Sequence, residues 1–485
     1  MDGTQPKGND GLQSGALKFP SVLMQAVTHI APAVGTLLSL QFIASLAGVT
    51  APLAFLIAFV IILTLGVSLT QLARKFPSAG GYYTYVSRTV HPRAGWFTAW
   101  LYFLYDPLAT AINLAFMGYF FEIILKSRFG VRFDWWWFFL LALALVTVLV
   151  YRGVAISARV MLILGGLELL IILGVAVSGL VSPGAGGINL DAFVPSNAPN
   201  SSGLFLAVIF SIFLFTGFES VAPLAEETAN PKKLLPRAII ISICLVAAFF
   251  VVCNWAIMIG YGTDNVKGFA TAGNNPVIEL AERLWGWGWL AVLFAMVNSI
   301  IAVSIACTNA ATRVFFSMGR IGALPRWFGA VHPRFKTPKN AVIFQTIVTL
   351  VFGLGIGAIL GPDQEFYMMG VAITLGLILV YIAGNVGVFR YYAFENKKEF
   401  NVVLHVILPL VSTVALLFVG YMSIVPFPSF PVGIAPILVG VWILLGIGLT
   451  IFASRTGREE WLDRAAHVYE EPVDVAPEAP EPNVR

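Results

Sequence analysis

The chain has 485 residues, 58% of them hydrophobic and only 11% charged, against roughly 25% charged in an ordinary soluble domain. A mean hydropathy of +0.85 excludes a soluble globular protein. The formal charge of +4 is scattered through polar segments rather than clustered, which argues against a nucleic-acid partner.

Residues 1–20 are polar, contain Asp2 and Asp10, and lack a cleavable apolar core, so the first apolar stretch is expected to direct insertion itself. At about 20 apolar residues per crossing, the sequence predicts twelve spanning helices. They cover 21–46, 51–73, 95–125, 135–151, 158–181, 203–225, 237–261, 288–315, 340–361, 366–389, 404–424 and 431–453. The basic residues test that count. With the N-terminus cytoplasmic, only Lys126, Arg128, Arg132, Lys267 and Arg283 of the 29 lysines and arginines fall outside. Losing one span would invert every later loop and destroy the asymmetry. An even number of crossings in a cell (plasma) membrane, both termini cytoplasmic, is therefore predicted.

The long loop at 183–202 is rich in Gly, Pro, Asn and Ser. Asn275-Pro276, followed by Val277, Ile278, Leu280 and Ala281, predicts a short amphipathic external helix. The Pro- and acid-rich tail at 455–485 is expected to be a disordered cytoplasmic end. Cys244, Cys253 and Cys307 lie in apolar segments without ligand spacing and read as small buried hydrophobes.

Two spans carry interruptions, at Pro32-Ala33-Val34-Gly35-Thr36 and at Thr216-Gly217-Phe218-Glu219. Non-helical backbone at bilayer depth survives only where it lines a cavity or is buried in protein. Interrupted segments in corresponding halves of a hydrophobic chain point to a binding site. Pro32 removes a donor and disfavours a continuous helix, which places the first break around 28–32. The half-helix starting near Thr36 would offer free N–H groups to an anion, and the carbonyls from His29 to Ala31 a site for an ammonium. A Pro kink packed against its neighbours is the plain alternative. Gly35 permits close backbone approach to a ligand, and Phe215 and Phe218 are candidates for an aromatic gate.

Several local patterns resemble the amino acid–polyamine–organocation transporter superfamily. One is Phe76-Pro77-Ser78-Ala79-Gly80-Gly81-Tyr82-Tyr83-Thr84-Tyr85, continuing to Pro92, Gly95 and Trp100. A second is Phe215-Thr216-Gly217-Phe218-Glu219, leading to Glu226-Glu227-Thr228-Ala229-Asn230-Pro231 and Pro236-Arg237-Ala238. The third is Arg313 with Met318-Gly319-Arg320, Leu324-Pro325, His332-Pro333 and Thr337-Pro338. The resemblance implies an all-α integral membrane protein with a LeuT-type five-plus-five inverted repeat and broken helices 1 and 6. The repeats would be 21–181 and 203–389, with 404–453 as two appended helices. Amino acid carriers of that family usually have Gly-x-Gly in the first break. Here only Gly35 remains, which keeps amines in play beside amino acids.

Intramembrane ionisable groups mark function by default. Glu219 sits in the second break, where the resemblance implies gating or proton sensing; capping of unwound N–H groups is the alternative. Glu168, in the fifth span, is a candidate proton-coupling group, with a neutral interhelical hydrogen bond as the rival. Asp106, in Tyr105-Asp106-Pro107, is placed to hold a substrate ammonium or simply to satisfy a bend. His29 is a candidate proton participant or a hydrogen-bonded core histidine. Ser304 and Thr308 share a face of the eighth span, as weak sodium candidates only, because such hydroxyls commonly bond back to their own helix. The substrate-binding set is thus Ala31, Pro32, Ala33, Gly35, Thr36, Asp106, Phe215, Thr216, Gly217 and Phe218.

No cofactor and no metal cluster is read from the spacing, and no nucleotide loop or nucleophile–base pair suggests an enzyme. The reading is a secondary carrier of amino acids or small organic amines, alternating access and using protons. An amine exchanger, a sodium symporter and a non-transporting sensor are the alternatives. The segments Arg313–Pro338 and Glu226–Pro236 are expected to form the cytoplasmic gate through salt bridges.

Overall fold

The computed structural model describes residues 12–455 except 274, 423, 428 and 429. The tail predicted over 455–485 lies, past Arg455, outside the described residues, as do residues 1–11. Every regular element described is helical, as apolar sequence in lipid requires when its backbone must be satisfied internally.

The first span is α1 (Phe19–Ile30), a π turn (Val34–Leu38) and α2 (Leu40–Ala47). Gly48–Thr50 turns the chain sharply into α3 (Ala51–Ala73). A short α4 (Tyr82–Thr89) precedes the third span, which is split into α5 (Pro92–Tyr102) and α6 (Asp106–Phe129). The helices α7 (Trp135–Arg152) and α8 (Val154–Val181) complete five crossings. The sixth is α9 (Ser201–Phe215) plus a 3₁₀ stretch, Phe218–Glu227, and the seventh is α10 (Pro231–Tyr261). After the short α11 (Val266–Thr271) and α12 (Pro276–Trp285) come α13 (Trp289–Ile321), α14 (Lys339–Leu360), α15 (Pro362–Arg390), α16 (Leu408–Met422) and α17 (Ile434–Arg455).

Twelve helical stretches among the described residues are long and apolar enough to cross a bilayer, the number read from the sequence. The third span differs from expectation. Instead of one helix over 95–125, it breaks at Phe103–Tyr105 because Pro107, in the first turn of α6, has no N–H to donate to that turn. The helix expected after Asn275 is α12, where Asn275 caps the N–H groups of Val277 and Ile278. Its Nδ2 also donates 2.7 Å to the Leu37 carbonyl, tying α12 to the far half of span 1.

Burial sorts the spans into an inner set and a lipid-facing set. The apolar stretch of span 1 is 83% buried, that of span 12 only 17%. Leu17, ahead of α1, forms an isolated bridge with Thr228 at the end of span 6. The Leu17 N–H donates to Glu227 O and its carbonyl accepts from Ala229, each at 2.9 Å. The start of span 1 therefore lies beside the end of span 6; α1 packs against the 3₁₀ stretch of span 6 and α2 against α9, so the two broken spans run in opposite directions.

Candidate functional site

α1 ends where Ala31 takes a left-handed backbone, φ 55° and ψ 72°, a conformation that costs a non-glycine residue about 1–2 kcal/mol. Such strain in a buried segment is usually functional. The amide of Ala33, freed by the break, donates 3.0 Å to Glu168 Oε1 on α8. Glu168 Oε2 accepts from Asn298 Nδ2 on α13, also at 3.0 Å. An internal carboxylate thus occupies one amide of the break, three residues before Thr36, where the free N–H groups are expected to begin.

The second break repeats the arrangement. Thr216 is extended and Gly217 has φ 114°. The Gly217 N–H donates 3.0 Å to Glu219 Oε2, while Tyr381 on α15 donates its hydroxyl proton to Glu219 Oε1 at 2.6 Å. Glu168 and Glu219 both sit at an unwound turn and are buried. A Cβ on Gly217 would lie 2.5 Å from His29 Cδ2 and 2.9 Å from the His29 carbonyl carbon, so the two breaks touch at that glycine.

His29, in the last turn of α1, is the meeting point. Its Nε2 lies 3.0 Å from the Tyr105 hydroxyl, 3.2 Å from Cys307 Sγ on α13 and 3.2 Å from Asp106 Oδ1 on α6. Asp106 is fully buried, and neither of its carboxylate oxygens accepts an aligned hydrogen bond among the described residues. The His29 distance is that of an ion pair without hydrogen-bond alignment. A buried carboxylate so placed calls for a cation.

His29, Ala31, Tyr105, Asn113, Thr216 and Cys307 line a small cavity walled further by Phe213 and Phe366. Its space for water is about 40 Å³, room for roughly three waters at the ~10–15 Å³ each requires. A roomier cavity of about 140 Å³, among Trp96, Trp100, Phe103, Phe315 and Phe344, is lined by apolar atoms and holds neither His29 nor any of the buried acids. The chemistry lies with the smaller one.

The sequence-predicted residues divide accordingly. His29, Ala31 and Thr216 line the cavity and Asp106 stands behind His29. Pro32, Ala33, Gly35, Thr36, Gly217 and Phe218 build the breaks without lining it. Gly35 approaches a side chain rather than a ligand: a Cβ there would overlap the Phe250 ring at Cε1. Thr36 Oγ1 donates to the Pro32 carbonyl at 2.7 Å. Phe215 packs edge-on to Phe250 and Phe218 lies beside Tyr381, so Phe213 and Phe366 take the cavity-facing aromatic positions instead. Ser304 and Thr308 donate back to Ile300 O and Ser304 O, as intrahelical hydroxyls commonly do. No metal cluster is legible in the spacing, but three spans bring the ligand atoms of His29, Asp106 and Cys307 within 4.8 Å of one another.

Tyr381 and the role of Cys307 were not read from the sequence. The available signals were a tyrosine inside an apolar span and a cysteine next to Thr308-Asn309.

At the end of the bundle carrying most basic residues, Arg313 and Glu227 form a fully buried pair, with Nε to Oε2 at 2.8 Å and Nη2 to Oε1 at 3.3 Å. Arg313 Nη1 is further held by Asn309 Oδ1 and Thr312 Oγ1. Arg320 pairs with Glu226 at 2.5 Å, and Glu226 also accepts from the Ala79 N–H. The salt bridges expected between these two segments are present.

Two antiparallel broken spans that touch at Gly217, beside a small cavity near buried carboxylates, define a multi-pass membrane transporter of small molecules. The chain belongs to the amino acid permease family, whose model matches residues 17–452. It is similar to the low-affinity putrescine importer PlaP of Escherichia coli (strain K12), 25% identical over 354 residues that cover 72% of this chain and 75% of that protein. It is also similar to the branched-chain amino acid permease BcaP of Bacillus subtilis (strain 168), 27% identical over 433 residues, with 84% and 86% covered. The BcaP of Lactococcus lactis is 23% identical over 482 residues, 92% of this chain and 97% of that protein. These relatives are permeases and importers, not enzymes, as the sequence indicated.

Proposed function

We propose that this chain moves small organic amines, and amino acids less readily, across a cell membrane by alternating access between spans 1 and 6. One observation carries the preference. One amide at each break already faces an internal carboxylate, Ala33 with Glu168 and Gly217 with Glu219, while neither Asp106 oxygen has an aligned donor among the described residues. Three buried acids favour a cationic substrate and leave poor provision for a substrate carboxylate. His29 meets the ammonium in the cavity with the Asp106 carboxylate behind it as counter-charge, and Ala31 and Thr216 shape the cavity around it. The similarity to a putrescine importer supports the same reading.

Protons drive transport through Glu219, Glu168 and His29. Each is buried at a break, where protonation would change the hydrogen bonds that hold the unwound turn. The Arg313–Glu227 and Arg320–Glu226 pairs, with the Leu17 bridge, close the cytoplasmic end, and both termini lie on that side. The inverted repeats are 21–181 and 203–389, which the opposed packing of spans 1 and 6 supports.

The test is uptake of radiolabelled putrescine and leucine into proteoliposomes under an imposed proton gradient. Putrescine should accumulate against its gradient, leucine less, and Asp106→Asn should abolish putrescine uptake. Equal leucine uptake, or full uptake by Asp106→Asn, would refute the amine reading. Binding without accumulation would identify a sensor.

A further inference from the structure

We infer that His29, Asp106 and Cys307 form a binding site for a divalent metal ion of the zinc class, set in the wall of the transport cavity. Nitrogen, carboxylate and thiolate are the three donor types that zinc, cobalt and cadmium take together. Here they come from three different spans, and their ligand atoms all lie within 4.8 Å of one another.

Two of the three ligand edges are close to those of a coordination polyhedron, and the third lies within 4.8 Å. With metal–nitrogen and metal–oxygen bonds of about 2.0 Å and a metal–sulfur bond of about 2.3 Å, tetrahedral N–O and N–S edges are about 3.3 and 3.5 Å. The measured His29–Asp106 and His29–Cys307 separations are both 3.2 Å. Small outward shifts of the side chains would admit the ion.

The hydrogen bonding points the same way. Nε2 of His29 faces the Tyr105 oxygen, the Asp106 oxygen and the Cys307 sulfur within 3.2 Å, yet it has at most one proton to share. Both Asp106 oxygens lack aligned donors while the residue is fully buried. A divalent ion would satisfy Nε2, the carboxylate and the sulfur at once, while His29 Nδ1 has no partner among the described residues. As it binds, the Cys307 thiol releases its proton to solvent and the sulfur–metal bond forms, with His29 neutral. His29 and Cys307 also line the cavity, so a bound ion lies where the proposed substrate ammonium goes and blocks transport. The site stands on ligand geometry alone; only the block rests on the carrier reading.

The experiment titrates purified full-length protein in detergent with Co²⁺ and follows its absorption. The expected result is a thiolate-to-cobalt charge-transfer band with tetrahedral d–d bands, both displaced by Zn²⁺. Cys307→Ser should abolish the charge-transfer band. His29→Gln should weaken binding at least about tenfold, since even outer-shell changes cost 10–100-fold. Cys244→Ser should leave binding unchanged. No band in the folded wild type, or a band that survives Cys307→Ser, overturns the site. Should that serine variant not fold, wild-type cobalt affinity in His29→Gln overturns it instead. Zn²⁺ should also inhibit putrescine uptake. Cobalt binding without inhibition leaves the site and refutes the block. Cobalt binding in protein that moves no putrescine refutes the amine reading and leaves the site.

Discussion

Glu227→Gln tests the closure of the basic end of the bundle. Glu227 and Arg313 are 1% and 0% exposed and share two hydrogen bonds. Removing one partner of a buried ion pair costs about 3–5 kcal/mol. Glutamine's amide oxygen still accepts one bond, and Asn309 and Thr312 continue to hold Nη1, so the lower figure applies. On the proposal that only the closed state contains the pair, the whole cost falls on that state. About 3 kcal/mol, at about 1.4 kcal/mol per decade, shifts the closed-to-open ratio about a hundredfold. Native Cys307 reports the shift, since it lines the central cavity and is buried in this conformation. In a background with Cys244 and Cys253 changed to serine, a membrane-impermeant maleimide is applied from each side of proteoliposomes. Labelling from the basic side should accelerate by up to that factor in Glu227→Gln and not from the opposite side. An unchanged labelling rate in folded protein would refute the assignment of this pair as a gate.

Gly217→Ala places a Cβ 2.5 Å from His29 in a backbone region that L residues rarely adopt. Strain of about 1–2 kcal/mol and overpacking of about 1–3 kcal/mol should lower the thermal midpoint and abolish uptake; a wild-type melt would contradict the contact between the breaks. Gly35→Ala collides with the Phe250 ring and should cost about 1–3 kcal/mol. Phe250→Leu in the same chain should restore part of that loss, so additive effects in a double-mutant cycle would count against it. In Glu168→Gln, the carboxamide must turn its NH₂ toward Asn298, whose own amide is fixed by Leu164 O. Stability should fall by about 1–3 kcal/mol and the proton-gradient dependence of uptake should flatten. An unchanged proton-driven profile rejects the coupling role.

The fold class and the depth of the site were written in local patterns. Twelve apolar stretches, the one-sided lysines and arginines, Pro32 and Gly217 each act on their own segment, through hydrophobic length, loop charge or a missing hydrogen bond. Nothing beyond the neighbouring residues is needed to read them. What those breaks face was decided by tertiary packing. Gly35 meets Phe250 rather than a ligand because α10 runs past the first break. The amide of Ala33 meets Glu168 because α8 does. His29, Asp106 and Cys307 have no spacing in common, yet three helices deliver them to one point. Helical periodicity says which residues share a face of one helix; it carries no information about which face of another helix will lie opposite. That choice is made when the inner spans pack, and it brought three isolated polar residues together.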